Sequence, residues 1–191
     1  MPGARMAAMK AVDPRVTYAE LEQWPDDGRR YELYGGEAIV VPAPLPIHQV
    51  VGLRIYDILK PYAETTGGLA LCAPLDIVFS QYDVLQPDVV FFDAEGRRRI
   101  DLYHAIEIVP NLVVEVLSQT TAARDRGRKL SIFERYGVPE YWIVDPTART
   151  LEIVVNRSGR FEQVAAYDDD ATVTAATVQG LAFKLADIFH F

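Results

Sequence analysis

Cysteine is almost missing from this 191-residue chain: Cys72 stands alone among Leu69, Ala70 and Leu71. That excludes an intrachain disulfide framework and a cysteine-built zinc site, and it fits a reducing, cytoplasmic compartment. Histidine is scarce as well. His48, His104 and His190 are the only three, at spacings that match no metal-ligand motif. Basic charge is in deficit, with 19 Lys and Arg against 27 Asp and Glu, a net charge of −8 and a pI near 4.9. The charge therefore argues against a general, charge-driven nucleic-acid binder, although not against an enzyme with a locally basic groove. No stretch reaches the roughly 18 apolar residues of a membrane span, so no membrane partner is expected. Residues 1 to 10 carry Arg5 and Lys10 without a continuous apolar core, so no signal peptide is expected either. Internal repeats and low-complexity tracts are also lacking.

Half of the residues are hydrophobic, enough for a substantial core in one domain. Residues 1–15 read as a flexible leader and residues 16–191 as a single domain. Thr17 is a helix N-cap with Glu20 completing a capping box, and that short helix stops near Trp24-Pro25. Arg30 to Val41 is a hairpin turning at Gly35-Gly36. A loop with Pro42, Pro44 and Pro46 leads into a helix whose Ile47, Val51, Ile55, Ile58 and Tyr62 recur at helical spacing, ending before Gly67-Gly68. Leu69–Phe79 and Val84–Phe92 read as strands joined by a polar turn at Ser80 to Asp83. A polar connection over 93–109, with Arg97-Arg98-Arg99 as a solvated charge run, has room for one short helix. A buried strand over 111–117, a helix from about Thr121 to Tyr136, a strand over Glu140–Asp145 and a hairpin around Ser158-Gly159 follow. The tail from Thr172 to Phe191 mixes β-branched residues with a last apolar segment. The strand–helix–strand unit at 111–145 suggests parallel pairing, while the hairpins force antiparallel pairing elsewhere. The expected fold is α/β with α+β character: a central mixed sheet flanked by helices, with additional hairpins.

Glu115 breaks the apolar run Leu112-Val-Val-Glu-Val-Leu117. A lone carboxylate in such a strand costs several kcal/mol unless a metal or a cation meets it. On a wheel of about 100° per residue, Ala122, Arg126, Lys129, Leu130, Phe133 and Tyr136 share one side, so Lys129 projects toward the core or its rim. Taken alone, a lysine there snorkels to solvent more often than not. Glu115 nearby and Gln86-Pro87-Asp88 ahead of Val89-Val-Phe-Phe92 favour a cluster of Asp, Glu and Lys at the sheet's rim, which metal-dependent phosphodiester cleavage requires. His48 is expected to make a local hydrogen bond at a helix start, His104 and His190 to stand alone, Ser118 to cap or turn, and Tyr141 and Trp142 to sit in the core. Asp168-Asp-Asp170 is an acidic turn without the spaced ligands of a calcium loop.

Gln86-Pro-Asp88, Leu112-Val-Val-Glu-Val-Leu-Ser118, Lys129 and Tyr136-Gly-Val-Pro-Glu-Tyr-Trp-Ile-Val-Asp-Pro146 together resemble the Uma-type family of putative restriction endonucleases, formerly a domain of unknown function. Tyr31-Glu-Leu-Tyr-Gly-Gly-Glu37 and the Pro-rich turn with His48 resemble it too. The resemblance spans roughly Thr17 to Pro146 directly. It implies a PD-(D/E)xK nuclease-like, restriction-endonuclease-like core and DNA as substrate. The general signature has its lysine two residues after the glutamate, where this chain has Leu117. The resemblance is to the variant in which the next helix supplies it as Lys129. Gln119 also replaces a usual proline. By this resemblance Asp88, Glu115 and the Val116 carbonyl hold the metal, and Glu32 completes the acidic cluster through a water. Lys129 assists the attacking water, and Asp76 is a weaker addition. Oxygen donors without Cys or clustered His suit Mg²⁺ or Mn²⁺ better than zinc.

The expected function is thus a metal-dependent endonuclease acting on DNA, with catalytic residues Asp88, Glu115, Lys129 and Glu32. A homodimer is expected, because cutting both strands of a duplex commonly uses paired sites. A catalytically silent nuclease-fold binding or assembly module stands as the alternative, and cleavage of another phosphate ester as a third.

Overall fold

Local chemistry sets the first elements of the fold, described by a computed structural model over residues 14–118, 125–168 and 170–190. Most of the expected leader lies outside these residues. In α1 (Tyr18–Leu21) the Thr17 hydroxyl accepts from the Glu20 N–H, and the Glu20 carboxylate accepts in return from the Thr17 N–H at 2.8 Å. Strands β1 (Arg30–Tyr34) and β2 (Glu37–Val41) form the expected hairpin, with Tyr34 opposite Glu37. Its two-residue turn needs positive φ at both positions, which Gly35 and Gly36 supply at 62° and 87°. Helix α2 (Pro46–Thr66) ends at Gly67 in the left-handed conformation. Its buried stripe is Val51, Ile55, Leu59 and Ala63; Ile58 and Tyr62 lie at the margin and Ile47 is exposed. The inward face is therefore rotated slightly from the expected one.

The two long strands expected over Leu69–Phe79 and Val84–Phe92 are each broken in two. They give β3 (Leu69–Cys72), β4 (Ile77–Ser80), β5 (Asp83–Leu85) and β6 (Val89–Phe92). A proline interrupts each run: Pro74, joined to Ala73 by a cis peptide bond, and Pro87. Lacking an N–H, a proline cannot continue a central ladder. The halves part company. Strands β4 and β5 join the first hairpin in a four-stranded sheet of order β2-β1-β5-β4, while β3 and β6 enter the main sheet. Gln86-Pro87-Asp88 is thus the point at which the chain crosses from one sheet to the other.

Helix α3 (Ala94–Arg99), N-capped by Asp93, fills the polar connection as expected. Strand β7 (Leu112–Val116) is buried at every position. The start of the expected helix, with Thr121 and Ala122, lies outside the described residues. From Asp125 to Lys129 the chain makes a π-helical turn and only then an α-helix, α4 (Leu130–Arg135). That wider turn shifts the phase of the wheel. Ile132 is buried beside Lys129 and Phe133, whereas Leu130 and Tyr136 are only partly so.

Strands β8 (Glu140–Asp145), β9 (Thr150–Arg157) and β10 (Arg160–Asp168) complete the main sheet. A small ribbon, β11 (Thr172–Thr174) with β12 (Ala182–Lys184), and helix α5 (Ala186–Phe189) form the tail. The six strands run in the order β10-β9-β8-β7-β6-β3. Only β7 and β8 pair in parallel, so the sheet is mixed, as expected. Each face carries a core. Helix α2, the ribbon and α5 cover one, around Trp142 and Phe91. Helix α4 and the small sheet cover the other, where Phe133 meets Tyr141 edge-on at 5.1 Å between centroids. Among the described residues no helix is long and apolar enough to cross a membrane.

Candidate active site

The register of the main sheet prepares the site. Val89 pairs with Val114 and Val90 with Val113, so the next antiparallel step sets Asp88 opposite Glu115. Alternation along β7 puts Glu115 on the face covered by α4, while Asp88, just ahead of β6, meets His48 of α2. In the same row Glu115 pairs with Ile143, and Ile143 with Glu152. Two acidic positions far apart in sequence become neighbours because Pro87 releases the chain into β6 just one residue earlier.

Lys129 closes over this row. It is 5% exposed, and its Nζ lies 2.7 Å from Glu115 Oε1 and 3.1 Å from Glu32 Oε1; Glu115 is 2% exposed and Glu32 fully buried. Glu32, from β1 of the small sheet, also accepts from the Tyr34 hydroxyl at 2.7 Å and from the Gln86 N–H at 2.8 Å. The two sheets and the π turn therefore meet at one ammonium group. Deleting the lysine from such a cluster costs about 3–5 kcal/mol, because the carboxylates it pairs with stay buried.

Asp88 is held separately. Its Oδ2 accepts from the Val116 N–H at 2.7 Å and lies 3.1 Å from His48 Nε2. These contacts hold the carboxylate against the end of β7. Arg126 reaches the far end of the row and forms a two-pronged pair with Glu152 at 3.0 and 2.6 Å. That pairing raises its already high pKa further, so it remains a fixed positive charge.

Asp76 lies beside the cluster without touching Lys129: its Oδ1 accepts from Gln86 Nε2 at 2.8 Å and its Oδ2 from the Tyr18 hydroxyl at 3.2 Å. Burial, and then the Asp76 charge, push the Tyr18 phenol well above its ordinary range, which keeps it a proton donor. A carboxylate only accepts, so the Gln86 amide must turn its nitrogen toward Asp76. Gln86 Oε1 is then buried with no hydrogen-bond partner among the described residues, a situation that costs roughly 1–3 kcal/mol.

The residues singled out from sequence thus divide into two linked groups. Glu32, Glu115 and Lys129 are in direct contact, and Asp88 is tethered to the backbone beside Glu115. His48, expected to make a local hydrogen bond at the helix start, lies 3.1 Å from Asp88; nothing in its spacing marks a contact between the first turn of α2 and the start of β6. Tyr34 and Gln86 stand in the quoted motifs, but their hydrogen bonds to Glu32 are not expected from them. Tyr34 had a signal, since two residues' separation in a strand puts it on the same side as Glu32. His104 pairs locally with Asp101, and Tyr141 and Trp142 are core residues.

Glu32 and Glu115 meet at Lys129, and Asp88 meets His48 and the Val116 N–H at the end of the same strand. Among the described residues no three His, Cys, Asp or Glu side chains form a cage able to hold an ion by themselves. The donor set still fits a small hard cation. Mg²⁺ takes one or two carboxylates, keeps several waters and binds phosphate oxygens, whereas zinc prefers a closed nitrogen and sulfur set.

Comparison with known proteins agrees with this arrangement at the level of family and fold. Residues 18–186 match the family Uma2, described as "Putative restriction endonuclease". A solved structure titled as a putative nuclease belonging to DUF820 from Anabaena variabilis superposes with a TM-score of 0.74 over 91% of this chain and 97% of that one, at 19% sequence identity. At that identity the likeness is one of fold. No curated protein matches.

Proposed function

Because the chain belongs to the Uma2 family, described as "Putative restriction endonuclease", we propose that it hydrolyses phosphodiester bonds in DNA. In this reading Asp88, Glu115 and the Val116 carbonyl hold a divalent cation, Mg²⁺ or Mn²⁺. The observation that carries the proposal is the meeting of buried carboxylates and an ammonium at the end of β7. Among the described residues, Glu32 and Glu115 are buried against Lys129, and Asp88 is held at the end of β7 by the Val116 N–H and His48. Carboxylate oxygens of this kind suit a small divalent ion. When bound, such an ion supplies polarisation of a phosphate oxygen and a lowered pKa for coordinated water.

The chain's own residues supply position and charge. Lys129 faces the carboxylates at hydrogen-bonding distance, where an ammonium orients an attacking water or offsets charge developing on the phosphate. Glu32 anchors Lys129, and is itself fixed by Tyr34 and the Gln86 N–H. His48 and the Val116 N–H fix the direction of the Asp88 carboxylate. Lys129 is supplied by the turn after β7 and not by β7 itself, where position 117 is a leucine.

Plasmid DNA incubated with Mg²⁺ or Mn²⁺ should be nicked or cut by the native protein, and at least about 100-fold more slowly by Asp88→Ala. Equal cleavage by both proteins would remove Asp88 from the chemistry. Cleavage by neither, over a range of salt and metal, would favour the catalytically silent binding module, a reading with which the net charge of −8 is consistent.

A further inference from the structure

Next to the acidic cluster, but outside it, lies a cavity of about 230 Å³ between α1, the start of β1 and the Gln86 crossing. Its wall includes Tyr18, Leu21, Trp24 and Tyr31. Trp24 stands edge-on to Tyr31, with ring centroids 5.2 Å apart and planes at 82°, and remains 40% exposed. An aromatic wall with an exposed indole offers a stacking surface to a flat ring. The size is restrictive, since drug-sized ligands occupy pockets of roughly 300 Å³ and more. A single ring system fits; a duplex does not.

Charge narrows the occupant further. Glu22, Asp26, Asp27 and Asp76 line the cavity against Arg29 and Arg30 only. Four carboxylates to two guanidinium groups disfavour a phosphate and leave an uncharged base undisturbed. Gln86, also in the wall, turns its side-chain nitrogen to Asp76, and its carbonyl oxygen is buried away from the cavity. The same residue's backbone N–H donates to Glu32, whose Oε1 also faces Lys129. Cavity and acidic cluster are therefore joined through one residue.

We propose that this cavity binds one unstacked nucleobase of the DNA strand, next to the phosphodiester held at the acidic cluster. This rests on the nuclease reading above and adds to it a site that grips a base taken out of the stack. The site would favour strands in which a base is already unpaired, where extrusion costs least.

Trp24 makes the test direct, because the only other tryptophan, Trp142, is fully buried. In Ca²⁺, with the strand checked to be uncut, titration with hexameric oligodeoxyadenylate should quench the indole emission saturably. A hexamer of abasic tetrahydrofuran phosphates should bind about ten-fold more weakly or worse and leave the emission unchanged. Trp24→Phe should abolish the response. Equal quenching by the abasic strand, absence of quenching, or a response that persists in Trp24→Phe would each overturn the base site. The two readings fail separately. Quenching without plasmid cleavage sinks the nuclease and keeps the base site, whereas cleavage without quenching does the reverse.

Discussion

Lys129 is the residue on which the site balances. It is one ammonium between two buried carboxylates, so removal of each member has a different consequence. Deleting the cation leaves Glu32 and Glu115 facing one another in a region of low polarity. Neutralising Glu115 leaves Lys129 its pair with Glu32. Lys129→Met is therefore expected to destabilise the metal-free protein by about 3–5 kcal/mol, and Glu115→Gln by clearly less, as read from urea unfolding midpoints. An equal or larger loss for Glu115→Gln would mean that the two carboxylates do not share the lysine. The importance of Glu115 and Lys129 was visible in sequence because each violates an apolar pattern. The contact of His48 with Asp88 was not, since a histidine at a helix start violates nothing.

At the scale of elements, the π turn and α4 deliver Lys129, and α4 is seated mainly by Phe133. That ring is fully buried between Phe79, at 5.8 Å, and Tyr141, at 5.1 Å. Phe133→Ala should cost about 3–5 kcal/mol, and cleavage should fall with it because Lys129 lies four residues earlier on the same carrier. Unchanged cleavage at a temperature where the variant is folded would show that α4 does not position the lysine. Element by element, the sequence was most legible where one local rule decides the structure. The hairpin of Arg30 to Val41 follows from Gly35-Gly36, and the Glu140–Asp145 strand from its apolar run. It was least legible where a proline turns one apolar run into two strands of different sheets, at Pro74 and Pro87. Both halves of each run are equally apolar, and only the tertiary structure assigns them. The π turn is similarly hidden, because a wheel at 100° per residue presumes an α-helix throughout.

For the whole molecule, a net charge of −8 and the proposed polyanionic substrate repel one another. The proposed cation would lower that repulsion at the point of contact. A labelled DNA strand, followed by fluorescence anisotropy, is expected to bind at least about ten-fold more tightly with Ca²⁺ present than with chelator. Added monovalent salt at equal ionic strength should not reproduce the gain. Identical affinities in Ca²⁺ and chelator would place DNA binding elsewhere on the surface. The mixed sheet with helices on both faces, the parallel β7–β8 pair and the match over residues 18–186 agree on family and fold. The chemistry rests on a narrower foundation, the cluster at the end of β7.

Calorimetric titration with Mn²⁺ tests that cluster most directly. Native protein should bind one ion per chain, with affinity at least ten-fold weaker in both Asp88→Ala and Glu115→Ala and little changed in the distant Asp101→Ala. Binding that survives unaltered in the first two variants would show that their carboxylates do not hold the metal, contradicting the proposed site.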